Sequence, residues 1–196
     1  MTHFKYDPPA YWTEQGPHIE RTRGASPEHR AVEAYLEQLL PTLYDVKSVL
    51  DVGCGGGRLA SLLLDVLPDA RYTGVDIGES QVEQTQKVRP DGTVYHSALQ
   101  DFTPGRKFDL IIASEVLMHI PPREIWLACT RLRQMCDGYI VNVDWSQPLG
   151  DNTPIASWNW IHDYVKLLEP LKLVSEEVIY LQSVYLFAKE ESDGVV

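Results

Sequence analysis

The strongest constraint on this chain is the run Lys47-Ser48-Val49-Leu50-Asp51-Val52, which passes directly into Gly53-Cys54-Gly55-Gly56-Gly57 and then into Leu59, Leu63, Val66 and Leu67 at helical spacing. A short continuous apolar run bounded by glycines reads as a buried strand, and the period after it reads as a helix stopped by Pro68. Arg71-Tyr72-Thr73-Gly74-Val75-Asp76 then reads as a second strand. Strand, helix and strand in that order call for a crossover connection and a parallel sheet.

The alternation extends in both directions. Ser26 before Pro27 and Glu28 starts a helix, because the serine oxygen caps open amides, proline is tolerated in a first turn and an acid suits the dipole. Val32, Leu36 and Leu39 mark its buried face, and Pro41 ends it. Gln81 to Val88 permits a helix, Thr93 to His96 is a third strand, and Phe108 to Ser114 a fourth, with little room for a full helix between those two strands. Pro121 and Pro122 open a helix carrying Ile125, Cys129, Leu132 and Cys136 on one face, Gly138 is placed to end it, and Tyr139 to Trp145 is a fifth strand. Ala156 to Leu168 reads as a last helix, and Leu171 to Tyr180 with Tyr185 to Ala188 as a closing pair around Leu181-Gln182-Ser183. The expected fold is α/β: a doubly wound, mostly parallel, seven-stranded sheet with helices on both faces and an antiparallel closing strand.

With 196 residues and 44% apolar content the chain fits one domain, residues 26–196, preceded by an irregular arm over residues 1–25. The net charge of -11 and the lack of a Lys/Arg stripe disfavour nucleic acid as a partner, since a polyanion would be repelled rather than neutralised. No apolar run approaches the ~20 residues that span a bilayer, and Met1 to Ala10 is polar and Pro-rich, so a membrane is not expected and the cytoplasm is the expected location. Cys54, Cys129 and Cys136 lack disulfide or zinc-ligand spacing and read as buried free thiols; no metal is expected. Nothing in the sequence signals an oligomeric state.

In a doubly wound sheet ligands bind beyond the carboxyl ends of the strands, at the point where the connections reverse. Asp51 to Gly57 lies at such an end, where glycines let backbone approach a ligand and the next helix offers open amides. Asp76, ending the second strand, is placed to accept ribose hydroxyl bonds. A tight turn with a helix cap is the competing reading of the glycines. A dinucleotide fingerprint needs Gly or Ala where Arg58 stands, so the match to a nicotinamide cofactor is imperfect.

Val49-Leu50-Asp51-Val52-Gly53-Cys54-Gly55-Gly56-Gly57 resembles the first motif of class I S-adenosylmethionine-dependent methyltransferases, an acid followed by G-x-G-x-G. Three further segments fall in that family's order: His96-Ser97-Ala98-Leu99, the strand Lys107 to Ser114, and Glu115-Val116-Leu117-Met118-His119-Ile120-Pro121. The resemblance spans about Ser48 to Pro122. It implies S-adenosyl-L-methionine as cofactor and S-adenosyl-L-homocysteine as product. It implies that Asp51 and the loop of Gly53, Cys54, Gly55 and Gly57 approach the methionine portion, with Ser114 under its amino group, and Asp76 the ribose. Ile77 and Leu99 would face the adenine, and Ala98 its edge. One departure is Ser97, where many relatives carry Asp to accept from the adenine amine.

Methyl transfer needs alignment in a dry pocket more than a protein nucleophile, but an alcohol or ammonium acceptor must lose a proton. Three residues are candidates for that chemistry. His119 follows the fourth strand closely, with a packing role in the turn as the competing reading, and Asp144 ends the fifth strand, where capping of a loop amide competes. His162 lies in the dense group Trp158, Trp160, His162, Asp163 and Tyr164. Candidate substrate contacts are Trp145, Trp160 and Tyr164, with core packing as the alternative, and Tyr11, Trp12, His18 and Arg21 of the arm, which in similar methyltransferases folds over the cofactor as a lid. Asp7-Pro8-Pro9-Ala10 imitates the D-P-P-Y motif of DNA methylases but lacks a preceding strand and reads as a turn. The expected function is methylation of a small polar metabolite at oxygen or nitrogen. The rivals are a catalytically silent subunit of the same fold and a nicotinamide oxidoreductase.

Overall fold

A computed structural model of the protein describes residues 7–14, 26–145, 154–156 and 158–189. Its helices are α1 over residues 8–14, α2 Pro27–Leu39, α3 Arg58–Val66, α4 Glu79–Val88, α5 Ile125–Met135 and α6 Tyr164–Leu167. The strands are β1 Ser48–Val52, β2 Arg71–Asp76, β3 Thr93–His96, β4 Phe108–Ser114, β5 Cys136–Trp145, β6 Pro154–Ala156, β7 Asn159–Trp160, β8 Lys172–Ile179 and β9 Gln182–Ala188.

A seven-stranded sheet runs in the order β3-β2-β1-β4-β5-β9-β8. Pairings from β3 through β5 are parallel, and β9 alone runs against the rest, antiparallel to both β5 and β8. This is the predicted architecture. β1 is buried at every position, which is why its sequence is continuously apolar rather than alternating. Its side chains still divide by face: Leu50 and Val52 join Ile111, Ala113, Ile140 and the α5 residues Ala128 and Leu132, while Val49 joins Leu110, Ile112, Val141, Leu36 of α2 and Leu63 of α3. Two cores, one on each face, fix the register, since a slip of one residue would exchange the faces. The order reverses between β2-β1 and β1-β4, and a crevice opens at the carboxyl ends of β1 and β4.

The predicted helix Ala156–Leu168 is absent. In its place stand the short antiparallel pair β6-β7 and the four-residue α6, because Asn159, Ile161 and His162 are buried in an extended approach to α6 rather than along a helical stripe. Gly138 does not end α5: the helix stops at Met135, and Gly138 lies within β5, where a Cβ would stand 2.5 Å from the carbonyl oxygen of Asp109. Gln182 and Ser183 belong to β9, and the turn falls at Tyr180-Leu181, with Tyr180 at φ 57°. The serine cap is as predicted, Ser26 accepting from the His29 amide at 3.2 Å. Cys54, Cys129 and Cys136 are free and buried. No helix among the described residues is long and apolar enough to cross a membrane.

Candidate active site

The crevice is a cleft of about 810 Å³. All the residues predicted for the cofactor line it: Asp51, Gly53, Cys54, Gly55, Gly57, Asp76, Ile77, Ser97, Ala98, Leu99 and Ser114. The loop after β1 turns back on itself through Gly53, Gly55 and Gly57, at φ 65°, 55° and 93°. These are left-handed values that favour glycine, and at Gly53 a Cβ would lie 2.3 Å from Cγ2 of Val116. The Gly53 amide donates to the Val75 carbonyl at 2.7 Å, and Thr85 Oγ1 of α4 donates to the Gly55 carbonyl at 2.6 Å, which pins the loop from the far side.

Asp76 accepts from the Gly55 amide at 2.9 Å and from the Gly78 amide at 2.7 Å. Burial raises its pKa, and these backbone donors oppose the rise. Asp51 accepts the Tyr72 hydroxyl at 2.8 Å, and burial pushes its carboxyl up to about 7, against Tyr72 and the charge of Arg58. Arg58, which begins α3, pairs with Glu33 of α2 at 2.6 Å and reaches Ser114 Oγ at 3.4 Å.

On the other side of Ser114 the cleft is walled by His29, Glu115, Val116, His119, Leu127 and Trp12. His29 Nε2 lies 2.7 Å from Glu115 Oε1 and donates to it, while Nδ1 lies 2.7 Å from Ser26 Oγ. Gln182 Nε2 donates to the same Glu115 oxygen. Glu115 has φ 57°, an unusual backbone state for a residue with a side chain. Helix α1 lies across this end: the Trp12 carbonyl accepts from Gln81 Nε2, Ser80 Oγ donates to the Thr13 carbonyl at 3.3 Å, and the Trp12 ring packs 4.7 Å from that of His119. His119 Nδ1 is 3.2 Å from the Trp158 carbonyl, and Tyr11 packs 5.7 Å from the Trp158 ring.

The remaining predicted residues divide. Of the catalytic candidates, His119 lines the cleft, but Asp144 and His162 do not: both are fully buried behind it. His162 Nε2 is tied to the Ile120 carbonyl at 2.9 Å. Asp144 points into the sheet–helix interior beside Asn142 and Tyr164, where burial lifts its carboxyl to about 8. Of the substrate candidates, Trp12 lines the cleft and Tyr11 supports it through Trp158, whereas Tyr164 is core, packed against Tyr185, and Trp145 and Trp160 lie outside the lining. His18 and Arg21 lie outside the described residues. The sequence reading gave no role to His29, Arg58, Gln81, Thr85, Glu115 or Gln182. Glu115 follows directly on Ser114 at the end of β4 and was within reach of the strand-end rule; the others depend on long-range packing. Among the described residues no three His, Cys, Asp or Glu side chains group to hold a metal.

Comparison with known proteins agrees with this geometry. The "Methyltransferase domain" family model matches residues 25–176. A trans-aconitate 2-methyltransferase of Enterobacter sp. (strain 638) is 38% identical over 79 residues, 40% of this chain and 31% of that protein, so the chain matches about a third of that relative's length. The fold matches magnesium protoporphyrin IX methyltransferase from Synechocystis PCC 6803, solved with S-adenosylhomocysteine, at 20% identity and TM-score 0.71, over 92% of this chain and 97% of that one. It also matches the 1,6-didemethyltoxoflavin-N1-methyltransferase of Burkholderia thailandensis at 15% identity and TM-score 0.74, over 97% and 94%. The chain belongs to the methyltransferase domain family, the class I S-adenosylmethionine-dependent enzymes.

Proposed function

We propose that the chain methylates a small polar metabolite at oxygen or nitrogen, held beside the cofactor and beneath α1. The observation that carries this reading is the cleft itself. Its 810 Å³ lies toward the top of the ~300–1,000 Å³ range of small-ligand pockets, room for a nucleoside cofactor and a small acceptor, and α1 lies against it, with Trp12 in the lining and its carbonyls bonded to Ser80 and Gln81 of α4. Trans-aconitate, magnesium protoporphyrin IX and 1,6-didemethyltoxoflavin are the compounds in the relatives' names, and they differ too widely in size and shape to fix one acceptor for this chain.

The residues fit S-adenosylmethionine on a structural ground: the Gly53 to Gly57 cradle has no space for a side chain at Gly53, and a buried carboxylate ends β2. In this reading Asp76 binds the ribose, Ile77 and Leu99 face the adenine with Ala98 and Ser97 at its edge, and Asp51, the glycine loop with Cys54, and Ser114 hold the methionine portion. When bound, S-adenosylmethionine supplies an electrophilic methyl carbon on a sulfonium sulfur. Trp12, Leu127 and Val116 exclude water from the acceptor's side, which strengthens every polar contact inside. His119, in the wall of this chamber, accepts the proton an alcohol or amine must release.

Incubating the protein with methyl-labelled S-adenosylmethionine and a cell extract split into small-molecule and macromolecular fractions tests this reading. Label in the small-molecule fraction is expected; label confined to protein or nucleic acid contradicts it.

A further inference from the structure

Behind the cofactor cradle a buried polar chain runs from Arg89 through Tyr72 to Asp51, and its role deepens the proposed function, on which this inference rests. Tyr72 and Gly74 share a face of β2, and Gly74 stands in register with Asp51 of β1. A Cβ at Gly74 would lie 3.0 Å from the Tyr72 hydroxyl and 3.0 Å from Cys54 Sγ, so the glycine leaves the phenol room to reach Asp51. The hydroxyl donates to Asp51 Oδ2 at 2.8 Å, the one hydrogen bond that this carboxylate accepts among the described residues. The ring is fixed from behind. Arg89, 2% exposed at the end of α4, places Cζ 4.7 Å from the ring centroid. Its guanidinium donates to Asp91 at 3.0 and 2.9 Å and to the Ala60 carbonyl at 3.4 Å. A Cβ at Gly92 would stand 2.7 Å from Tyr72 Cδ1.

A phenylalanine would fill the same space without the cost of burying a hydroxyl, so packing does not account for the tyrosine. Burial and the charge of Asp51 raise the Tyr72 phenol well above its ordinary value, so it keeps its proton and is always the donor. On Asp51 the same bond, with the charge of Arg58, opposes the rise that burial imposes and favours the anion. Asp51 lines the cleft, and a fixed carboxylate there suits an ammonium through a charge-assisted bond.

We propose that Tyr72 is a positioning residue of the cofactor site: it holds Asp51 toward the ammonium of the cofactor's methionine tail, and Arg89 holds Tyr72 in place. The site therefore selects nucleosides whose tail carries that ammonium over those whose tail lacks it.

The test is calorimetric titration of the full chain with S-adenosylhomocysteine and with 5′-S-(3-carboxypropyl)-5′-thioadenosine, the same thioether and carboxylate without the amino group, the weaker ligand being read by displacement of the stronger. The unaltered protein is expected to bind S-adenosylhomocysteine at least tenfold more tightly. Tyr72→Phe, which keeps the ring against Arg89, should weaken S-adenosylhomocysteine at least fivefold and the deaminated nucleoside less than twofold, a difference that a merely structural role would not produce. Asp51→Asn should erase the preference. Equal affinity of the two nucleosides for the unaltered protein, a Tyr72→Phe loss shared equally by both, no loss at all, or a preference that survives Asp51→Asn overturns the proposal, and the first is read without relying on a variant's folding. Those outcomes with S-adenosylhomocysteine still bound leave the methyltransferase reading standing; failure of S-adenosylhomocysteine itself to bind the unaltered protein would overturn that reading instead.

Discussion

The carboxylate of Asp76, at the end of β2, accepts the amide of Gly55, in the loop after β1, at 2.9 Å. One side chain therefore shapes the glycine loop and is also the one proposed to bind the cofactor's ribose. Asp76→Ala is expected to weaken S-adenosylmethionine binding about ten- to a hundredfold, since a hydrogen bond to a charged group contributes about 1.5–3 kcal/mol. Calorimetry with the variant checks this, and an unchanged dissociation constant would remove Asp76 from the ribose.

Gly53 couples the cradle to the turn after β4. At φ 65° and with Val116 Cγ2 2.3 Å from where a Cβ would stand, Gly53→Ala should lower stability by about 1–3 kcal/mol and abolish most cofactor binding. Adding Val116→Ala removes the steric part only, so the double variant should regain some thermal stability but not all. Full recovery in a melting experiment would mean that the backbone conformation carries no cost.

These two residues also show why the cofactor half of the cleft was legible in the sequence. A strand end, a glycine turn and a carboxylate ending the next strand are local features whose spacing is dictated by the βαβ unit, and the parallel sheet brings them together automatically. The other half, proposed for the acceptor, is assembled otherwise. His29 comes from α2 and Gln182 from β9, and no local period announces that both reach Glu115. Asp144 satisfied a strand-end argument like that for His119, and His162 an aromatic-cluster argument, yet their side chains turn into the core, because β5 alternates faces and residues 159–163 precede α6 without a helical stripe. The missing helix over Ala156–Leu168 has the same origin: tertiary burial decided a segment whose propensity favoured another state.

Asp144 should leave its mark on stability rather than on turnover. Among the described residues neither of its carboxylate oxygens meets hydrogen-bonding geometry, although Tyr164 and Asn142 face it, and burial raises its carboxyl from a usual 3.8 to about 8. Between those values the folded protein keeps a proton that the unfolded chain has lost, so this group lowers stability as pH rises from 4 to 8. Asp144→Asn, neutral throughout, should be more stable than the parent by about 1–3 kcal/mol at pH 8, with the gap narrowing toward pH 4. Urea unfolding at pH 5, 6.5 and 8 measures it; parallel curves would contradict the assignment.

His119 lines the cleft, against Trp12 and the Trp158 carbonyl. His119→Ala is expected to leave cofactor affinity within about threefold while lowering kcat by ~10²–10⁴-fold, the range for loss of a general base. A rise in acceptor KM with kcat unchanged would assign it to holding α1 in place instead.

The central claim, that the crevice at the ends of β1 and β4 is an S-adenosylmethionine site, is met most directly by titrating the purified protein in parallel with S-adenosylmethionine, S-adenosylhomocysteine and NAD. Binding of the first two in the micromolar range, without heat from NAD, is the predicted result; binding of NAD alone would contradict it.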